Sequence, residues 1–231
     1  NEIKNNIRDK NDDHFPKTKL LCLENTHNFC CGAPIKKEYF EEIKTILNHN
    51  NIKLHIDGAR IFNASIALKT SVADLTKTAD SISCCLSKGL SSPVGSLIIG
   101  SNDFILKAKK IRKALGGGMR QAGIIASAGI YSFNNMVNRL EEDHETASIL
   151  ANKLHQIENL SINLDMVKTN IVFIHLKNTK ISDEKFLLQL NQNNIKIDYK
   201  GNRKFRLVTH YGFQKTEIDT VVSTIAKILK G

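Results

Sequence analysis

The chain has 231 residues, 24% of them charged and 41% apolar, with no tryptophan and a net charge of +10. That length is enough for one large or two small domains with real cores, and no apolar run approaches the length of a membrane span. The lysines are scattered without a dense block or interleaved aromatics, so the charge reads as a solvated surface and excludes a dedicated nucleic-acid or membrane-binding module.

The opening segment, Asn1 to Lys10, is polar, carries no secretory signal and lacks an initiator methionine, as expected of a piece of a longer chain or of one whose start has been removed. Lys19 to Leu23 predicts a short strand, followed by a polar loop from Glu24 to Pro34. From Ile35 to about Asn50, the positions of Phe40, Ile43, Ile46 and Leu47 predict a helix. Leu54 to Ile56 is the next strand, closing a strand–helix–strand unit. A helix is expected over Arg60 to Leu68, then strands over Ile82 to Leu86 and Gly95 to Gly100. The link between these two strands is too short for a crossover helix, so they should run antiparallel. Asn102 to about Lys113 predicts a helix capped by Ser101 or Asn102.

After Gly116-Gly-Gly118 the pattern is helical to about Ile157, with a break. Strands are expected at Leu160–Met166, Asn170–Leu176, Lys196–Tyr199 and Phe205–Thr209. Helices are expected at Asp183–Asn193 and Thr216–Leu229. The first part, residues 1–135, reads as a mostly parallel α/β sheet, and residues 136–231 as a small α+β domain.

Cys22, Cys30, Cys31, Cys84 and Cys85 are odd in number and lack the spacings of a disulfide framework or a zinc site. A reducing, cytoplasmic setting fits them.

In open α/β sheets, ligands sit beyond the carboxyl ends of the strands. His27, Asp57 and Lys88 each follow a strand end, so all three are expected to face one crevice. Lys88 closes an apolar run beside Gly89. A buried primary amine there would be poised to attack a carbonyl. Asp57 ends an earlier strand. An acid for a pyridine nitrogen and an amine for an aldehyde suit a pyridoxal-phosphate site. The plainer alternatives are a turn lysine, a helix-capping aspartate and a loop histidine bonded to backbone.

Four segments carry a more specific signal. Leu23-Glu-Asn-Thr-His-Asn28, His55-Ile-Asp-Gly-Ala-Arg60, Leu86-Ser-Lys-Gly-Leu90 with Pro93-Val-Gly-Ser96, and Lys113-Ala-Leu-Gly-Gly-Gly-Met-Arg-Gln121 resemble, in this order, motifs of the low-specificity L-threonine aldolases. The resemblance begins at about Lys19 and weakens after residue 160. It implies an aspartate-aminotransferase-like α/β fold of PLP fold type I, with part of a large, mostly parallel domain and a small C-terminal α+β domain. It also implies a lyase of threonine catabolism and glycine biosynthesis, with pyridoxal 5'-phosphate as cofactor, a β-hydroxy amino acid as substrate, and a homodimer or homotetramer.

Residue by residue, the resemblance implies that Lys88 bonds the cofactor and that Asp57 holds its ring nitrogen protonated. Arg60 would lie over the cofactor and the substrate carboxylate. Arg206 would bind that carboxylate, and His27 would sit by the substrate hydroxyl. Ser87, Lys113 and Arg120 would approach the phosphate, the last two in a neighbouring subunit. The family carries a further phosphate loop and a ring-stacking histidine ahead of the point where this sequence begins, which marks the chain as an N-terminally truncated aldolase. Cys30-Cys31 stand where the family usually has arginine and glycine. Other readings are another PLP lyase of the same fold and a truncated, non-catalytic aldolase-like subunit.

Overall fold

The computed structural model describes residues 2–230. In chain order, a single helical turn α1 (Glu2–Asn5) precedes β1 (Leu20–Glu24), α2 (Lys37–His49), β2 (Lys53–Asp57), α3 (Ile61–Leu68), α4 (Val72–Thr76), β3 (Ser81–Cys85) and β4 (Ser96–Gly100). Next come α5 (Asn102–Ala114), α6 (Gly123–Asn135), α7 (Leu140–His155), β5 (Leu160–Ser161), β6 (Ile171–Leu176), α8 (Asp183–Gln192), β7 (Asp198–Tyr199), β8 (Lys204–Val208) and α9 (Ile218–Lys230).

Two four-stranded sheets result, ordered β1-β2-β3-β4 and β5-β6-β8-β7. In the first, β1, β2 and β3 are parallel and β4 returns antiparallel, as its short link requires. The second is antiparallel throughout. Ser101 caps α5 and Ser182 caps α8, each side chain accepting a backbone N–H of the first turn.

The first sheet is buttressed by α2, whose buried Phe40, Ile43 and Leu47 pack with Leu54 and Ile56. Ile3 and Ile7 also reach this core, so the opening segment, read from sequence as simply polar, contributes apolar packing. The second sheet is packed by α7, α8 and α9 around Leu150, Phe186, Phe205 and Ile225. Helix α7 ties a smaller cluster, in which Leu140 packs with Leu86, Leu90 and Met136, to the second core through Leu150 and Leu154.

Several segments differ from expectation, among them the strand expected over Lys196–Tyr199, which keeps only Asp198–Tyr199, and the unexpected turn α1. The strand predicted over Leu160–Met166 stops at Ser161, and Leu164–Met166 forms a 3-10 turn with the Asn163 side chain accepting the Asp165 N–H. Asparagine favours such local bonds over a ladder. Helix α4, not anticipated, is a short turn capped by Ser71 and anchored by buried Leu75.

A polar cluster also links the two halves. Asn63 Nδ2 on α3 lies 3.1 Å from His144 Nε2 on α7 and 3.4 Å from Asn170 Oδ1 at the foot of β6. Asn170 Nδ2 donates in turn to the Thr209 carbonyl at 2.9 Å. An amide N–H can only donate, so His144 Nε2 accepts and the ring is neutral there. Burial lowers its pKa to about 4. The unfolded chain takes up this proton below about 6.5, but the folded chain only near 4. Stability should therefore fall as pH drops from about 6.5 toward 4. Urea midpoints across that range should decline for the wild type and decline less for His144→Gln, which keeps an acceptor without a titrating ring. Equal slopes would contradict this role.

Candidate active site

The parallel register places Glu24 beside Asp57 and Asp57 beside Ser83 at the carboxyl edge of the first sheet. Asp57 Oδ1 accepts the Ala59 N–H at 3.0 Å and faces the Ser83 hydroxyl at 3.4 Å. These two donors fix the carboxylate as it leaves β2. Gly58 follows because nothing larger fits: its N–H donates to the Ser83 carbonyl at 2.7 Å, and a Cβ there would stand 2.7 Å from the same oxygen.

Arg60 ends this turn and is half-buried. Burial lowers its pKa, the like charge of Arg206 adds to the effect, and Glu24 and Asp57 oppose it. Arg60 thus feels both two strand-end carboxylates and a guanidinium from the second sheet.

The loop after β1 carries His27. Asn25 closes it with a reciprocal pair of 3.0 Å bonds to the Ile35 backbone. Thr169 at the second sheet donates to the Gly32 carbonyl at 2.9 Å. Asn28 Oδ1 accepts from Arg206, whose other terminal nitrogen pairs with Asp198 at 2.6 Å. Arg206 Nε is buried without a partner. His27 sits between two groups, with Nδ1 3.2 Å from Cys30 Sγ and Nε2 3.5 Å from Glu24 Oε2.

Lys88 lies three residues beyond β3 at the tip of a turn. Ser91 N–H donates to the Lys88 carbonyl at 2.9 Å, and Ser92 N–H to the Leu86 carbonyl at 2.9 Å. The burial expected for Lys88 is not observed: Lys88 and Ser87 are both exposed. The flanking Leu86 and Leu90 are the residues that go inside, and this lifts the lysine out. A Cβ on Gly89 would meet Leu140 at 2.9 Å and Asn63 at 3.0 Å, so the turn rests directly on the packing between the halves.

The structure therefore brings Glu24, His27, Asp57, Arg60 and Arg206 together. Lys113 at the end of α5, and Arg120, are exposed and make no hydrogen bond or ion pair with them among the described residues. Sequence reasoning passed over Glu24, Asn28, Ser83 and Asp198. Glu24 and Ser83 become visible only through strand register, and Asp198 only through the β7–β8 pairing that sets it opposite Arg206.

In kind, these donors suit pyridoxal phosphate. There is an oriented carboxylate for a ring nitrogen, a primary amine on a turn at the same edge, and a buried guanidinium N–H still lacking an acceptor.

The sequence matches the β-eliminating lyase family over residues 1–179. It is 41% identical to low-specificity L-threonine aldolase 1 of Arabidopsis thaliana, over 94% of this chain and 61% of that protein. It is 40% identical to the low specificity L-threonine aldolase of Escherichia coli K12, over 92% of this chain and 61% of that protein. The chain spans about three fifths of the length of these curated relatives. Among solved structures, the Leishmania major threonine aldolase aligns with a TM-score of 0.77 at 19% identity, over 98% of this chain and 66% of that one. A PLP-dependent aminotransferase from Streptococcus suis aligns with a TM-score of 0.71 at 17% identity, over 94% and 58%. The fold expected from the sequence is the one these structures share.

The Asp57–Gly58 turn is open to a direct check. Gly58→Ala should lower stability by about 1–3 kcal/mol, because backbone must move to admit the methyl group. Gly123→Ala, where a Cβ meets nothing within 4 Å, should change little. Urea denaturation of both variants tests this, and a neutral Gly58→Ala would contradict the packing described.

Proposed function

The chain belongs to the β-eliminating lyase family, and on that footing we propose that its protein is a pyridoxal-5'-phosphate-dependent aldehyde-lyase that cleaves L-threonine and L-allo-threonine to glycine and acetaldehyde. The observation that carries this reading is the convergence of Asp57, Arg60, Arg206 and His27 at the sheet edge from which the Lys88 turn projects. The named threonine aldolases among its relatives support the substrate.

The cofactor, when bound, supplies an electron sink next to the amino acid's Cα. Lys88 holds it through its exposed amine. Asp57, aimed by Ala59 and Ser83, would accept a hydrogen bond from the protonated ring nitrogen and so keep that proton in place. Arg206, held by Asn28 and Asp198, and Arg60 would together present two guanidinium charges to the substrate carboxylate. That pair would orient the substrate by its carboxylate.

His27 takes the β-hydroxyl proton. Glu24 can only accept, so it favours the ring proton on Nε2 and leaves the lone pair on Nδ1. Ser87 would approach the phosphate within the same copy, and Lys113 and Arg120, all three exposed, would approach it in a neighbouring copy.

A homodimer or homotetramer belongs to the same proposal. Leu97, Ile98, Ile99, Leu115, Met119 and Ile124 are all exposed. Exposed apolar residues in such number support the covering of part of this surface by another chain. We divide the chain near residue 135, into part of the cofactor-binding domain and a small C-terminal domain, because the two sheets fall on either side of it. The five free cysteines support a cytoplasmic location, and no helix among the described residues is long and apolar enough to cross a membrane.

The test is acetaldehyde release from L-threonine in the presence of pyridoxal phosphate. Asp57→Ala and Lys88→Ala should abolish it. His27→Asn should lower kcat by about 100-fold or more. Arg206→Lys should lower kcat/KM by about tenfold or more, because a point charge cannot replace a fork. Near-normal turnover by Asp57→Ala would contradict the proposal, and release of pyruvate and ammonia instead would assign a different lyase reaction.

A further inference from the structure

The loop that presents His27 holds a second arrangement which the lyase reading does not use. Cys30 is exposed, and its Sγ lies 3.2 Å from His27 Nδ1. On the far side of the ring, Nε2 lies 3.5 Å from the Glu24 carboxylate. Thiol, imidazole and carboxylate therefore stand in series. A ring proton on Nε2 would face Glu24 and leave the Nδ1 lone pair toward the thiol.

Cationic side chains adjoin the loop. Arg206 bonds Asn28, two residues before Cys30, and Lys200 stands 5.8 Å from the centre of the Phe29 ring. Asp198, the nearby acid, is already paired with Lys200 and Arg206. Positive charge and an adjacent imidazole are what activate a cysteine. The loop is also held in place, by the Asn25–Ile35 clamp and by the Thr169–Gly32 bond. The neighbouring Cys31 is different: burial pushes its thiol up, with Lys204 opposing.

We propose that Cys30 is a nucleophilic thiol, activated by His27 and Glu24, that exchanges with low-molecular-weight disulfides and thereby switches off the site in which His27 works. In the exchange, His27 Nδ1 takes the Cys30 proton and the thiolate sulfur attacks one sulfur of the disulfide. The new S–S bond forms as the disulfide's own bond breaks. The departing thiolate recovers the proton from Nδ1. Cys30 is oxidised to a mixed disulfide and the released half is reduced to a thiol. The adduct then stands against Nδ1, the nitrogen assigned to the substrate hydroxyl, and beside Arg206. The inhibitory part rests on the lyase reading, but the thiol chemistry does not.

Oxidised glutathione is the probe, with the rate of modification at each cysteine followed by mass spectrometry near neutral pH. Cys22 is also exposed and serves as the internal control. Cys30 should react about tenfold faster than Cys22 or more. His27→Gln and Glu24→Gln should each slow Cys30 while leaving Cys22 unchanged. Equal rates at Cys30 and Cys22, or no effect of His27→Gln on Cys30, would overturn the proposal. On the active enzyme, glutathionylation should abolish threonine cleavage, dithiothreitol should restore it, and Cys30→Ser should retain turnover and ignore the disulfide. Full turnover with Cys30 modified would overturn the switch. The rate comparison is read on the thiols alone, so failure of the aldolase reading is distinguishable from failure of this one.

Discussion

Parallel pairing of β1, β2 and β3 is the constraint on which the site depends. Parallel strands deliver their carboxyl ends to one edge, and the register here sets Glu24, Asp57 and Ser83 side by side at that edge. A slip of one residue would turn each of these side chains to the opposite face of the sheet. The slip is opposed by Leu54 and Ile56, which alternate with His55 and Asp57 and are fully buried. The same alternation that builds the core therefore aims the chemistry. Asp80 reinforces the register at the other end of β2: it accepts from the Leu54 N–H at 2.9 Å and pairs with Lys44 and Lys53. Burial would raise its pKa, but these bonds prevail and bring it down to about 2.

The edge alone is half a site. Its other half comes from the antiparallel sheet, through Arg206 and the residues that position it. Three links carry the second sheet to the first: Arg206 to Asn28, Thr169 to Gly32, and the Asn63–His144–Asn170 cluster. Each joins residues far apart in sequence, and each is polar. Polar contacts of this sort contribute modest net stability, but they specify one arrangement sharply, because a buried amide left unpaired is costly. The apolar part of the junction is helix α7, with Leu140 in the cluster of Leu86, Leu90 and Met136 and with Leu150 and Leu154 in the second core.

Much of this was legible in the sequence. Alternating or helical apolar spacing predicted β2, α2, α8 and α9 to within a few residues, and short links predicted the antiparallel turn at β4. Asp57 stood out because it ends an apolar strand, whereas Arg60 was reached only through the resemblance to the threonine aldolases. The rest was hidden for physical reasons. Lys88 follows an apolar run, which reads as burial, but the turn faces inward at Leu86 and Leu90 and pushes the lysine out. Leu164 and Met166 have the alternation of a strand, yet the Asn163 side chain captures the local backbone first. Glu24, Asn28 and Asp198 gain meaning only from partners in other elements, which one-dimensional spacing does not report. The same holds for Cys30, whose relation to His27 depends on how the loop folds back.

The central claim is that the residues at this sheet edge, Asp57 and the Lys88 turn, form one cofactor site. The most direct measurement is to add pyridoxal phosphate, reduce with borohydride and map the modified lysine by peptide mass spectrometry. The account predicts label on Lys88, weakened by Asp57→Ala. Label spread over the other exposed lysines, with Lys88 no more modified than they are, would contradict it.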